Sequence, residues 1–213
     1  MAGKPLIAWS IEAAKDSIYL DKIVVSTNDE EIAIIARQYG ALVPFKRPEE
    51  FATDTSTTYD VINHAIDFFQ KNGEIYDYLM LLEPTSPLRK KDDIDNAIKL
   101  LIDANEFSDS LISVGEVHLE HPDIVKIIDD GFLKPFIQNK IQVSRRQERK
   151  QVYFPYGVVY LAKVQTVIRE QTFYTEKTIP YIIERWQNYE VDDIYDFICI
   201  ENILIHNMKS EVK

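Results

Sequence analysis

Two hydrophobic periods alternate along the chain. Pro5 to Ser17 puts Leu6, Trp9, Ile11 and Ala13-Ala14 on one side of a helix, with Pro5 tolerated in its first turn. Lys22 to Ser26, carrying Ile23-Val24-Val25, reads as a β-branched strand. A helix follows from Asp29 to Tyr39, with Asp29, Glu30 and Glu31 at the positive end of its dipole and Gly40 as its stop. Ala41 to Phe45 is a short strand, Lys46 to Thr57 a polar loop, and Thr58 to Lys71 a helix ending near Gly73. Asp77 to Leu82 is an almost unbroken apolar run, the pattern of a strand buried on both faces. After the loop Glu83 to Arg89 come a helix from about Asp92 to Ala104 and a strand from Ser110 to Val114.

The pattern loosens between Glu116 and Tyr153. Two strand-like pieces, Ile124 to Ile128 and Leu133 to Ile137, flank Asp129-Asp130-Gly131, a hairpin turn signal. Core character returns at Val158 to Leu161; Lys163 to Glu170 reads as a helix, and Ile194 to Met208 as a C-terminal helix with Ile198, Ile203 and Ile205 among its apolar positions. The alternation predicts a single α/β domain over 1–213. Its sheet is doubly wound and mostly parallel with helices on both faces, and a small arm is inserted at about 116–153. Ligands of such sheets bind beyond the carboxyl ends of the strands, so functional residues are sought just after strands.

Composition narrows the partners. The formal net charge of −11 disfavours nucleic acid polymers and anionic membranes. The longest apolar runs are strand-sized, far short of the roughly 20 residues that span a bilayer. Met1 to Pro5 carries no secretory pattern, so a cytoplasmic location is expected. The single cysteine, Cys199, lies in the apolar run Phe197 to Ile200 and reads as a buried structural thiol. The four histidines have no metal-ligand spacing, and the tyrosines and phenylalanines are accounted for as core and interface.

Chemistry concentrates in three places. Glu83-Pro84-Thr85-Ser86-Pro87-Leu88-Arg89 follows the most apolar strand and joins a carboxylate, two hydroxyls and a guanidinium to two stiffening prolines. The pattern alone also admits an ordinary turn with helix-capping residues. Arg145-Arg146-Gln147, with Arg149 and Lys150, is either a solvated basic segment or an anion clamp, because a guanidinium forks onto a carboxylate. Glu190 and Asp192, two apart in extended chain, point to one face and suit a hard cation such as Mg2+; capping of the helix beginning near Ile194 explains Asp192 equally well. Asp92, Asp93 and Asp95 are read as acids at a helix start.

The loop at 83–89 resembles the Q-P-T-S-P-L-R signature of the CMP-sialic acid synthetase (acylneuraminate cytidylyltransferase) family, with Glu83 in place of glutamine. Gly3-Lys4-Pro5-Leu6-Ile7 is similar to the family's G-K-P-L-I, and residues 25–33 to its V-S-T-D-D-E-E-I-A. Arg47-Pro48-Glu49-Glu50 with Asp54-Thr55 is similar to its R-P-x-x-L-A-x-D segment. Arg145-Arg146-Gln147 resembles R-R-Q, residues 156–160 resemble N-G-A-I-Y with Tyr156 in place of asparagine, and Glu190-Val191-Asp192 resembles D-I-D. The matches run in order along nearly the whole chain.

The resemblance implies a nucleotide-diphospho-sugar transferase-like fold and transfer of CMP from CTP to a nonulosonic (sialic-type) acid with release of pyrophosphate. It implies Arg89 and Asp192 as catalytic residues and Arg47, Thr58, Glu83, Thr85 and Ser86 on the nucleotide. Arg145, Arg146, Gln147 and Tyr156 fall to the sugar, and Glu190 and Asp192 to Mg2+. The arm at 116–153 resembles the family's dimerisation region, so a homodimer is expected. The family's first strand and R-x-G-S-K-type phosphate loop, which precede G-K-P-L-I, have no counterpart here, and the six glycines are scattered. A truncated cytidylyltransferase is therefore expected, with a non-catalytic relative acting as a binding or dimerisation partner as the alternative. A metal-dependent glycosyltransferase ranks last, because its acidic motif would follow a central strand.

Overall fold

The four core strands lie in the order β1 (Tyr78–Leu81), β5 (Tyr153–Lys163), β2 (Ser110–Glu116), β6 (Thr178–Ile182) in this computed structural model. It describes residues 1–53, 55–137 and 149–211, with side chains to Lys209 at the C-terminal end. β2 and β6 are parallel, and β5 runs against both β1 and β2. The common direction therefore holds for three strands, with β5 reversed among them. That reversal has a use: the start of β5 lies beside the carboxyl ends of β1 and β2.

Helices cover both faces, as the alternation predicts. Alternate strand residues point to opposite sides, so Leu111 and Leu161 join one core with Ala14 of α1 (Leu6–Asp16) and Ile94, Ala97 and Leu101 of α4 (Asp93–Asp103). Ile112 and Ala162 join the other, with Ile62 and Ile66 of α3 (Thr58–Lys71) and Val167 of α5 (Val164–Glu170). α3 keeps both predicted bounds because Thr57 and Asp60 cap its first turn reciprocally. α2 (Glu30–Tyr39) is capped by Asp29, whose side chain accepts from Ile32 N at 3.0 Å.

Several expectations are corrected. The segments 22–26 and 41–45 meet only as an isolated parallel bridge, Val24 with Leu42, because neither has a second strand neighbour among the described residues. β6 is not anticipated from the sequence: Pro180 at its centre argues against a strand, and it is tolerated because β6 pairs with β2 alone, at the sheet edge. Cys199 is exposed. α6 (Ile194–Glu211) turns Ile200 and Leu204, one helical turn apart, into the core and leaves Cys199, Ile198 and Ile205 outward.

Between β2 and β5 the chain forms a separate two-stranded sheet of β3 (Lys126–Asp129) and β4 (Phe132–Pro135). Asp130 and Gly131 both take positive φ, 51° and 78°, as a tight hairpin turn requires. Ile128, Phe132 and Leu133 on this hairpin are more than 70% exposed.

Candidate active site

The site begins at a β-bulge. The register of β2 against β5 shifts between Ile112 and Val114, where residues 156–159 of β5 bulge against Ser113 alone, and the Ser113 hydroxyl accepts from Val159 N at 2.8 Å while lying against the carbonyl of Tyr156. The bulge turns Gly157 N away from the ladder, and that N–H donates to Oε1 of Glu190 at 2.6 Å. Ser86, fully buried, donates its hydroxyl to the same oxygen at 2.7 Å.

Two tethers fix Glu190 to the 83–89 loop. Val191 N donates to Thr85 O at 2.8 Å. Upstream, the turn Arg185–Gln187 is anchored by buried Gln187, whose Nε2 donates to Leu88 O at 2.9 Å and Asp93 Oδ2 at 2.6 Å. Segments far apart in sequence thus converge at the carboxyl end of β1.

Arg89 holds that convergence from below. Its guanidinium is buried, although the residue as a whole is half-buried, and it donates to the carbonyls of Val158, Glu83 and Gly157 at 2.7, 2.8 and 2.8 Å and to Ser10 Oγ at 2.9 Å. Burial pushes its pKa down to about 10, against the pull of Asp93, Glu83 and Glu190, so it stays charged at neutral pH. All three of its nitrogens are engaged with protein, which makes it a positioning residue for the loop.

Glu83 shares the space above Gly157 with Glu190. Burial first, and the Glu190 charge second, raise the Glu83 carboxyl above the ordinary range, against the pull of Arg89. Tyr160 and Tyr174 stand near the pair, and burial raises both hydroxyls, the charges of Glu83 and Glu190 adding to the shift. Tyr156 is also raised by burial, opposed by Arg185, and its ring meets Phe154 edge-on with centroids 5.1 Å apart.

The remaining predicted residues fall as follows. Arg47 is half-buried, its Nε 3.2 Å from Ser26 Oγ and its Nη2 on the Ser26 carbonyl; burial lowers its pKa. Thr58 is exposed at the start of α3, beside the Thr57 cap. Thr85 is half-buried in the loop. Arg145, Arg146 and Gln147 lie outside the described residues. Asp192 is exposed, and the cap of α6 is made by its neighbours: Asp193 Oδ1 accepts from Tyr195 and Asp196 N, while Asp196 Oδ2 accepts from Asp192 and Asp193 N. The Asp192 carboxylate takes no part in that cap.

Sequence reasoning gave no role to Ser10, the Gly157 amide, Tyr160 or Tyr174. Gly157 and Tyr160 lie in the 156–160 segment that resembles N-G-A-I-Y, whereas nothing in the spacing of Ser10, carried by α1, or of Tyr174 marks them. Among the described residues, no group of three or more His, Cys, Asp or Glu side chains is arranged to hold a metal. Magnesium is commonly held by only one or two carboxylates together with substrate phosphates. Asp192 and the second oxygen of Glu190, which has no hydrogen-bond partner among the described residues, suit that smaller donor set.

A doubly wound sheet with hydroxyls and carboxylates gathered at the carboxyl end of its strands places a polar ligand site where such folds bind their ligands, and the family match makes the chain a nucleotidyltransferase. The chain belongs to the cytidylyltransferase family, whose profile matches residues 1–207. It is 34% identical over 218 residues to a CMP-N,N'-diacetyllegionaminic acid synthase of Legionella pneumophila, covering 100% of this chain and 90% of that protein. It is 30% identical to a pseudaminic acid cytidylyltransferase of Campylobacter jejuni, covering 91% of this chain and 82% of that one. The match to an N-acylneuraminate cytidylyltransferase of Streptococcus agalactiae, 32% identical, covers 94% of this chain but 47% of that longer protein. Among solved structures, a CMP:2-keto-3-deoxy-manno-octonic acid synthetase complexed with CTP superposes with a TM-score of 0.65 at 14% identity, over 96% of this chain and 89% of that one, a likeness of fold.

Proposed function

We propose that this chain transfers CMP from CTP to a nonulosonic (sialic-type) acid and releases pyrophosphate. The observation that carries the reading is the joining of the 83–89 loop, Gly157 and Glu190 into one polar floor at the carboxyl end of β1. Within it, Thr85, Ser86, Glu83, Arg47 and Thr58 serve the nucleotide side. The fork of Arg145 and Arg146, with Gln147, fits the acceptor carboxylate, since two parallel N–H donors match two carboxylate oxygens; Tyr156 flanks the acceptor. Arg89 acts through the loop carbonyls it holds. Asp192 and Glu190 would hold Mg2+, which, when bound, supplies charge neutralisation on the triphosphate. Catalysis in this reading is mainly alignment of the acceptor hydroxyl with the α-phosphorus.

The reading extends to a homodimer through the exposed hairpin β3–β4 and to the cytoplasm as its place. No helix among the described residues is long and apolar enough to cross a membrane. A second reading is a relative that binds without transfer. The test is pyrophosphate release from CTP and magnesium with a panel of sialic, legionaminic and pseudaminic acids, with ATP, GTP and UTP as controls. Acid-dependent release with CTP alone supports transfer. CTP binding without release under any acid supports the second reading.

A further inference from the structure

Gly157 and Glu190 meet through one hydrogen bond, so their chain neighbours Tyr156 and Tyr189 flank the joint. The 185–190 segment also crosses the carboxyl end of β2. Asn188 Nδ2 donates to Glu116 O at 3.0 Å, and the Asn188 side chain fills the place that a Cβ on Gly115, the register partner of Phe154, would take. Phe154 in turn meets Tyr156 edge-on. Arg185 belongs to the same group: its guanidinium carbon is 5.2 Å from the centre of the Tyr189 ring, a cation–π distance. The Tyr156 hydroxyl feels that charge, which opposes the upward push of burial on its pKa.

The guanidinium is otherwise unengaged. Arg185 is exposed and makes no hydrogen bond or ion pair through its side chain with any described residue. The carboxylate beside it in sequence, Glu184, is already taken by Lys90 at 2.7 Å and by the Trp186 ring nitrogen at 2.8 Å. A guanidinium held over a ring keeps its N–H edge available for a planar acceptor.

Electrostatics decide which acceptor. The polar floor carries Glu83 and Glu190, and Glu120 adds negative charge that is felt at Tyr156. An anion entering there needs a cation whose donors are free. Arg89 has all three nitrogens on protein groups and Lys90 is bonded to Glu184, whereas Arg185 keeps both its charge and its donors.

We propose that Arg185 is an acceptor-binding residue, whose guanidinium, held over Tyr189 beside Tyr156, donates to the carboxylate of the incoming nonulosonic acid. This rests on the acceptor class read above. A carboxylate offers about four lone-pair sites, enough for Arg185 and the Arg145–Arg146 fork together.

The test is calorimetric titration of each acid of the panel into the full chain with CTP and EDTA present, EDTA withholding the magnesium that turnover would use. Arg185→Met keeps an unbranched side chain against Tyr189 and removes the charge; Arg185→Lys returns the charge without the fork. The Kd for the acid is expected to rise by about tenfold or more in Arg185→Met, as for loss of a charge-assisted hydrogen bond, and by less in Arg185→Lys. The Kd for CTP should not move. The methyl ester of the same acid, which has no carboxylate charge, should bind the parent and Arg185→Met alike. An unchanged Kd for the acid in Arg185→Met, an equal loss for CTP or for the ester, or Arg185→Lys as weak as Arg185→Met would overturn the proposal. A parent that binds the acid but releases no pyrophosphate once magnesium is restored would remove the transfer reading and leave Arg185 decided by the Kd values. A parent that binds no acid would overturn both.

Discussion

A Cβ added to Gly157 would lie 2.4 Å from Oε2 of Glu83 and 2.7 Å from its Cβ, so the loop carboxylate occupies the space that any other residue at 157 would need. Because the obstruction includes Glu83 Cβ, rotating the carboxylate away does not relieve it. Gly157→Ala must push β5 or the loop aside, breaking the amide contact to Glu190 or the carbonyl contact to Arg89. The expected cost is about 1–3 kcal/mol in urea denaturation. A CTP-dependent activity should fall by tenfold or more, since a 1 Å misplacement can cost about 100-fold.

Glu83 should make stability depend on pH. Its folded pKa is raised by burial and by Glu190, so between the ordinary carboxylate pKa and the raised one the folded state binds more protons than the unfolded state. Stability is then full below the ordinary value and falls as pH rises through the raised one. Glu83→Gln removes that ionisation. Urea midpoints at pH 5 and pH 8 should differ less in the variant than in the parent, with the variant the more stable at pH 8. An unchanged difference would contradict the assignment.

Arg89 joins the carbonyls at both ends of the loop-strand contact, so its removal should act on folding before chemistry. Arg89→Met leaves the carbonyls of Val158, Glu83 and Gly157 without their buried donor. The expected loss is about 3–5 kcal/mol, as for breaking a buried charged network by removing one partner. Arg89→Lys should recover little, because a point ammonium cannot reproduce the planar fork that serves several acceptors. Guanidinium unfolding curves of both variants check this.

Legibility in the sequence followed the range of the interactions. α3 was readable at both ends because its cap and its apolar stripe are local. The 83–89 loop was readable because an apolar run ends abruptly in hydroxyls, an acid and an arginine. β6 was not, since Pro180 reads as a breaker unless its edge position is known. Nor was the bracing task of Arg89, which depends on carbonyls from a strand some 70 residues away in the chain meeting those of its own loop. The contacts of Glu190 to Ser86 and Gly157 are not legible either, because they depend on the 83–89 loop and the β5 bulge at 156–159 meeting across long stretches of chain.

Asp192 and its neighbours separate catalysis from capping. Asp193 and Asp196 hold the first turn of α6, and Asp192 offers that cap only its backbone N–H. Asp193→Ala should cost about 1 kcal/mol with activity little changed. Asp192→Asn should leave Tm unchanged and reduce magnesium-dependent pyrophosphate release by tenfold or more. A stability loss in Asp192→Asn equal to that of Asp193→Ala would return Asp192 to a capping role.

The hairpin β3–β4 carries Ile128, Phe132 and Leu133 on the surface without forming part of the main sheet. A two-stranded hairpin alone is marginally stable in water, and exposed apolar clusters of this kind mark contact surfaces. If the hairpin is the dimer contact, the chain should scatter light as a dimer at micromolar concentration. Leu133→Asp combined with Ile128→Asp should yield a monomer with an unchanged main-sheet fold by circular dichroism, because neither side chain is part of the buried core. A parent chain that is monomeric at that concentration would remove the hairpin from the interface and leave its apolar face to be explained otherwise.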